Sequence, residues 1–291
     1  MKCALFAIPL FMLMMLSACC SQVPQTVVTE WDVPYQAKPA KMTLDVHSLK
    51  GLEGLRPALV MIHGGGWQSL DKSNFTWLAK EAAKRGYVVF NINYRLAQQA
   101  KYPAAVKDCQ AAMRWVRAKA RTYHVDPARV AVWGESAGGH LASMMGLLDS
   151  RDPRMPDVSS RASVAVDFYG VADLTPAELP EKYARGSDFV AACENFIGKK
   201  HSEAPDLFAE ASPINHVTKK ACPFLVIHGD ADMTVPYEQS VRFVEKLKSA
   251  GVEATLHTVK GGGHGPSFRN APGKDQAYEA MWTFLATHLK P

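Results

Sequence analysis

No CxxC pair and no HExxH helix motif occurs in the 291 residues, so the spacings by which cysteine or histidine usually announce zinc are missing. No metal site and no cofactor are expected. A strong excess of one charge is lacking too. The chain carries 33 Lys+Arg against 28 Asp+Glu, with no basic run, which argues against a nucleic-acid partner. The Gly- and Lys-containing stretch 261–274 lacks the Lys-Ser/Thr ending of a phosphate-binding loop. Internal repeats and low-complexity tracts are absent, and 20 Gly with 18 Pro is an ordinary content, so a fibrous or disordered protein is excluded. One apolar run stands out, residues 3–16. Its 14 residues, interrupted by Pro9, are too few to span a bilayer as a helix.

That run follows Lys2 and ends in Leu16-Ser17-Ala18-Cys19, which resembles a bacterial lipobox. The resemblance implies cleavage before Cys19 and lipidation of its thiol and amine; more than one acyl chain makes anchoring stable. Residues 1–18 are thus expected to be a signal peptide, 19–25 a tether and 26–291 the folded body. That body is expected to be exported and held at a bacterial membrane through its N-terminal lipid alone. An ordinary cleaved signal and an uncleaved anchor are the alternatives. Without 1–18 the net charge falls from +5 to +4, and the hydrophobic share to about 45%, ordinary for a globular domain. Cys109, Cys193 and Cys222 remain beyond the tether. An odd number cannot all pair within one chain, and spacing alone leaves a Cys193–Cys222 bridge open.

From about residue 55, short apolar runs alternate with longer amphipathic stretches. The runs at 58–62, 87–92, 130–133, 164–168, 224–227 and 255–259 are β-branched or aromatic and lack in–out alternation, as strands buried on both faces do. The stretches at 75–85, 103–123, 137–148, 236–249 and 276–288 read as helices. Gly86 and Gly251 stop two of them, and Pro103 and Pro236 suit first helical positions. Strand–helix repetition predicts an α/β fold, a mostly parallel sheet with helices on both faces. Two earlier runs, 26–31 and 42–46, alternate more and add an antiparallel edge, giving about eight strands. Residues 171–217 break the rhythm, and the expectation is one domain with a small helical cap inserted there.

Gly134-Glu135-Ser136-Ala137-Gly138 lies directly between a predicted strand and a predicted helix. A serine on so sharp a turn needs a strained backbone, and the flanking glycines remove side chains that would clash. The turn lifts the hydroxyl toward the cleft beyond the strand ends. Ser136 is the candidate nucleophile; a glycine turn without chemistry is the plain alternative. His63-Gly64-Gly65-Gly66-Trp67 follows the 58–62 run, and consecutive glycines let backbone N–H groups turn inward. Gly65 and Gly66, with the N–H of Ala137, are the candidate oxyanion hole. A serine hydroxyl also needs a base in reach. His264 stands in a glycine-rich loop after the last strand, well placed to reach the cleft. His140 is expected to be packed at the surface of its helix, and His63 and His228 to make structural bonds to backbone. Asp230 and Asp232 both remain open as the acid at this point.

Four segments, HGGGW at 63–67, NYRLAQQAKYP at 93–103, DPARVAVWGESAGGH at 126–140 and HGDADMTVP at 228–236, together resemble the α/β-hydrolase superfamily. Within it they resemble hormone-sensitive-lipase-like and acetylxylan/feruloyl-esterase-like carboxylesterases. The likeness covers roughly 55–288, with the motifs in the family's order. It implies the α/β-hydrolase fold and a triad running Ser136, Asp232, His264, with Asp230 shaping its turn. It further implies a serine esterase acting through an acyl-enzyme on short-chain acyl esters, acetyl or feruloyl, of plant polysaccharide. Trp67, Tyr94, Trp133 and Tyr169 flank the motif loops and are candidates to line the pocket. The expected partner is a small ester or acylated polysaccharide. Alternatives are an arylformamidase, another amidase or a peptidase with the same triad, and a non-catalytic binding protein on the same fold.

Overall fold

A computed structural model describes residues 26–38, 42–175, 183 and 188–291; the expected signal peptide, tether and Cys19 lie outside the described residues. Six strands run parallel: β3 (Arg56–Ile62), β4 (Val88–Ile92), β5 (Val125–Glu135), β6 (Ala165–Phe168), β7 (Phe224–Gly229) and β8 (Ala254–Val259). The more alternating β1 (Val27–Gln36) and β2 (Met42–Leu49) add an antiparallel edge. The order is β1-β2-β4-β3-β5-β6-β7-β8.

Successive strand residues face opposite sides of a sheet, so an uninterrupted apolar run feeds two cores at once. Val60, Ile62, Val132 and Val226 pack beneath α2 (Ala104–Ala118), α3 (Ala137–Leu147) and α6 (Tyr237–Ser249). Leu59, Met61, Trp133 and Ile227 pack beneath α1 (Thr76–Lys84) and α8 (Lys274–Leu289). Gly86 and Gly251 end α1 and α6 with φ of 89° and 78°, where a β-carbon would be penalised. Pro103 and Pro236 stand one residue before their helices rather than inside them.

Between β6 and β7 lie α4 (Asp188–Ile197), α5 (Pro205–Ala211) and two short 3-10 turns. This segment packs on α3, all eleven residues of which are buried. The single turn α7 (Pro266–Arg269) follows the last strand. Cys109, Cys193 and Cys222 are free and buried, so Cys193 and Cys222 form no bridge. No helix among the described residues is long and apolar enough to cross a membrane.

One topological detail positions the chemistry. β3 lies between β4 and β5, so the direction of winding reverses there, and Ile62 pairs with Gly134. The 63–67 loop and the 134–138 turn therefore leave neighbouring strands side by side, at the point where such sheets open a crevice.

Candidate active site

β5 ends at Glu135 and α3 begins at Ala137, so Ser136 alone turns the chain. Its φ of 54° and ψ of −122° lie outside the ordinary regions for an L-residue. Such a conformation costs about 1–3 kcal/mol and persists only where its surroundings over-determine it. Here the Ser136 N–H donates to Phe168 O at 2.8 Å, and the His140 N–H donates to Ser136 O at 3.0 Å. Gly138 lets α3 start this close to β3: a β-carbon there would lie 2.1 Å from Ile62 O.

The Ser136 hydroxyl donates to His264 Nε2 at 2.8 Å, and His264 Nδ1–H donates to Asp232 Oδ2 at 2.7 Å. Asp232 is buried and fully engaged. Its Oδ1 accepts the N–H groups of Thr234 (2.7 Å) and Val235 (2.9 Å), and its Oδ2 also accepts from His228 Nε2 (3.1 Å). Burial alone would raise its pKa, but the hydrogen bonds from His228 and His264 outweigh that and hold it well below the usual carboxylate range. An ionised Asp232 keeps the proton of His264 on Nδ1 and leaves the Nε2 lone pair facing Ser136. The rival Asp230 accepts from the Gly261 N–H at 2.6 Å and pairs with Lys260 at 2.9 Å, shaping its turn.

His228 does more than bond to backbone. Nε2–H meets Val235 O (3.2 Å) as well as Asp232, and Nδ1 accepts the Ser240 hydroxyl at 2.7 Å. The four-residue spacing across the 228–232 turn was the signal available. Removing a hydrogen bond to a charged group costs about 1.5–3 kcal/mol. His228→Leu is therefore expected to lower kcat about 10- to 100-fold with KM nearly unchanged. His228→Gln, which can still donate to Asp232, should restore most of the loss; equal losses in both variants would limit His228 to packing.

Gly65 and Gly66 take φ of 96° and 59°, and a β-carbon on Gly65 would lie 2.1 Å from Ser69 O. A β-carbon on Gly64 would sit 3.4 Å from Ser136 Cβ, which measures how close the glycine loop runs to that serine. The N–H groups of Gly65, Gly66 and Ala137 donate to no backbone acceptor among the described residues. They remain available to a developing oxyanion.

The four flanking aromatics are all buried. Trp67 and Tyr94 are 2% exposed, Trp133 and Tyr169 0%, and each ring is consumed in packing. Tyr94 donates to the carbonyls of His63 (3.0 Å) and Gly64 (3.1 Å) and stacks on His63, clamping the glycine loop. Trp67 stacks on Phe196 at 4.5 Å. Tyr169 donates to Glu135, which also pairs with Arg269, and its ring lies 4.7 Å from that of His264. Trp133 packs between Phe75 and Phe168. Strand-end position alone does not distinguish cleft from core, and here the helices covering both faces decide for core.

His140 is packed, as expected, and fully buried. Its Nδ1 accepts the indole N–H of Trp67 at 3.1 Å, so the ring proton sits on Nε2 and is donated to Ala211 O at 2.8 Å. Burial lowers its pKa from 6.5 to about 4. The unfolded chain thus takes up a proton before the folded one does. The stabilisation, on the order of 3 kcal/mol, is complete above the unfolded value and is lost as pH falls toward the folded one. Melting scans from pH 7 to pH 4 should show a smaller fall in Tm for His140→Gln than for the parent, since glutamine can keep both bonds without titrating.

The winding order, the nucleophile turn at the reversal point and the Ser–His–Asp chain define an α/β-hydrolase of the serine-hydrolase class. Residues 44–247 match the BD-FAE family model, and the chain belongs to that family. Esterase LipC of Mycobacterium tuberculosis is 34% identical over 242 residues, 80% of this chain and 59% of LipC. An acetylxylan esterase of Xylanibacter ruminicola is 28% identical over 72% of this chain and 41% of its own. Among solved structures, a truncated carbohydrate esterase from gut microbiota superposes with a TM-score of 0.76 at 30% identity, covering 91% of this chain and 96% of that one. The chain spans about half the length of the curated relatives it matches. Its class is that of the α/β-hydrolase serine esterases.

Proposed function

We propose that this protein is a serine carboxylesterase that hydrolyses short-chain acyl esters, of acetyl or feruloyl type, on plant cell-wall polysaccharide or oligosaccharide. The observation that carries the reading is the unbroken hydrogen-bonded path from Ser136 Oγ through His264 to Asp232. His264 takes the Ser136 proton as Oγ attacks the ester carbonyl, and Asp232 steadies the imidazolium without accepting its proton. The N–H groups of Gly65, Gly66 and Ala137 hold the oxyanion. Collapse expels the alcohol, which takes the proton from His264; water, activated by the same imidazole, then releases the acid. Similarity to an acetylxylan esterase and a carbohydrate esterase supports the saccharide side of this reading.

The purified protein is expected to turn over p-nitrophenyl acetate faster than p-nitrophenyl palmitate and to release acetate from acetylated xylan. A preference for the long chain would sink the short-acyl assignment. We also infer export and lipidation at Cys19, from the Leu-Ser-Ala-Cys signal. Cys19→Ala should then move the activity from the membrane fraction to the soluble one, whereas continued attachment would favour an uncleaved anchor.

A further inference from the structure

A groove of about 840 Å³ runs along the flank of α2, away from the triad, and five of its lining residues are cations. Three of these are matched by carboxylates: Arg95 by Asp108 at 2.7 Å, Arg151 by Asp149 at 3.2 Å and Arg154 by Asp152 at 2.7 Å. The other two form no direct ion pair among the described residues. Arg114 is half-buried and donates from Nη1 to the Ser150 hydroxyl at 2.7 Å; its Nε is buried without an acceptor. Lys107 is exposed and has no carboxylate partner among the described residues. Burial pulls the Arg114 pKa down and outweighs the opposing pull of the nearby Asp152 and Asp149.

Lys107 and Arg114 stand seven residues apart on one helix, two turns and about 10 Å along its axis, so both address the same groove. That spacing suits two separate anionic groups on an extended ligand better than a single phosphate, which draws converging donors to one point. Gln110 and Ser150 lie between the cations and suit sugar hydroxyls. The Arg95 end of the groove belongs to the loop after β4, in which the Ala97 N–H donates to Trp67 O at 2.7 Å. One loop thus borders the groove and buttresses the glycine turn beside Ser136.

We propose that this groove is a secondary binding site for an acidic oligosaccharide, with sugar carboxylates held by Lys107 and Arg114 while the acyl group is cleaved at Ser136. Its catalytic consequence rests on the polysaccharide reading above; the binding itself does not.

The test pairs two measurements on the full-length protein. In the first, migration through native gels containing polygalacturonate is compared with gels containing neutral xylan. Retardation in the acidic gel alone is expected, with loss in Lys107→Gln/Arg114→Gln. Lys107→Glu, at an exposed helix position, should lose it as well, which guards against misfolding of the double variant. Equal migration of parent and variants in the acidic gel would overturn the site. So would retention by phosphatidylglycerol vesicles through the same residues without retention by the acidic glycan, which would assign the groove to a lipid headgroup. In the second, acetate release is followed on acetylated glucuronoxylan and on the same polymer with its carboxyls reduced. The variants should raise KM on the acidic polymer several-fold and leave p-nitrophenyl acetate turnover unchanged. If p-nitrophenyl acetate is cleaved but neither polymer is, the polysaccharide reading fails while the gel result still decides the groove.

Discussion

Ser136→Ala is expected to lower kcat for p-nitrophenyl acetate by about 10⁶-fold, leaving only what binding and the oxyanion donors supply. The substitution keeps Cβ and the backbone bonds that hold the turn, to Phe168 O and from the His140 N–H, so the variant should melt near the parent temperature. Loss of activity without loss of stability is the signature sought. A fluorophosphonate probe should label the parent at Ser136 and leave the variant unlabelled. Because the triad acts as a unit, adding His264→Ala to the serine variant should cost almost nothing further. Turnover of Ser136→Ala within tenfold of the parent would remove Ser136 as the nucleophile.

Asp232→Asn should lower kcat by about 10⁴-fold while leaving the fold intact. The groups around the carboxylate decide this outcome. Two backbone N–H groups, of Thr234 and Val235, point at Oδ1 and demand an acceptor there. The asparagine must therefore present its oxygen to them and its NH₂ to the Oδ2 position, facing His264 and His228. His264 then has to offer a lone pair at Nδ1 and carry its proton on Nε2. In that tautomer it cannot accept the Ser136 proton. KM should change little, since the carboxylate is buried away from substrate. A variant retaining a tenth of parental kcat would show that orientation of His264 comes from elsewhere, the ring of Tyr169 being the nearest alternative.

The nucleophile turn and the glycine loop were legible because each imposes a local backbone demand that only certain residues meet. Gly65 and Gly66 stand where φ is positive, and Gly138 where a side chain would strike Ile62 O. Parallel strands were legible for a related reason. A strand covered on both faces has no exposed positions and so no in–out alternation, as the five buried residues of β4 show. The aromatics and two of the histidines were not legible. Trp133 beside the nucleophile motif and Tyr94 after β4 had equal claims to cleft and core until the packing of Phe75, Phe168 and His63 was known. What His140 packs against was hidden because α3 shows no polar stripe to mark its outer face, and that face lies under α5.

By itself, then, the sequence determined the order of strands and helices, the strained serine, the inward-turning glycine loop and a histidine on a flexible final loop. These are demands on single residues or on nearest neighbours, and they are written in glycine spacing and apolar periodicity. Only the tertiary structure decided which groups meet across long stretches of chain. It brought His264 to Ser136 over 128 residues, set His228 on the same oxygen as His264, turned the flanking aromatics into supports and gathered Lys107 and Arg114 into one groove. Such meetings follow from strand order and helix packing, and no local pattern in the chain records them.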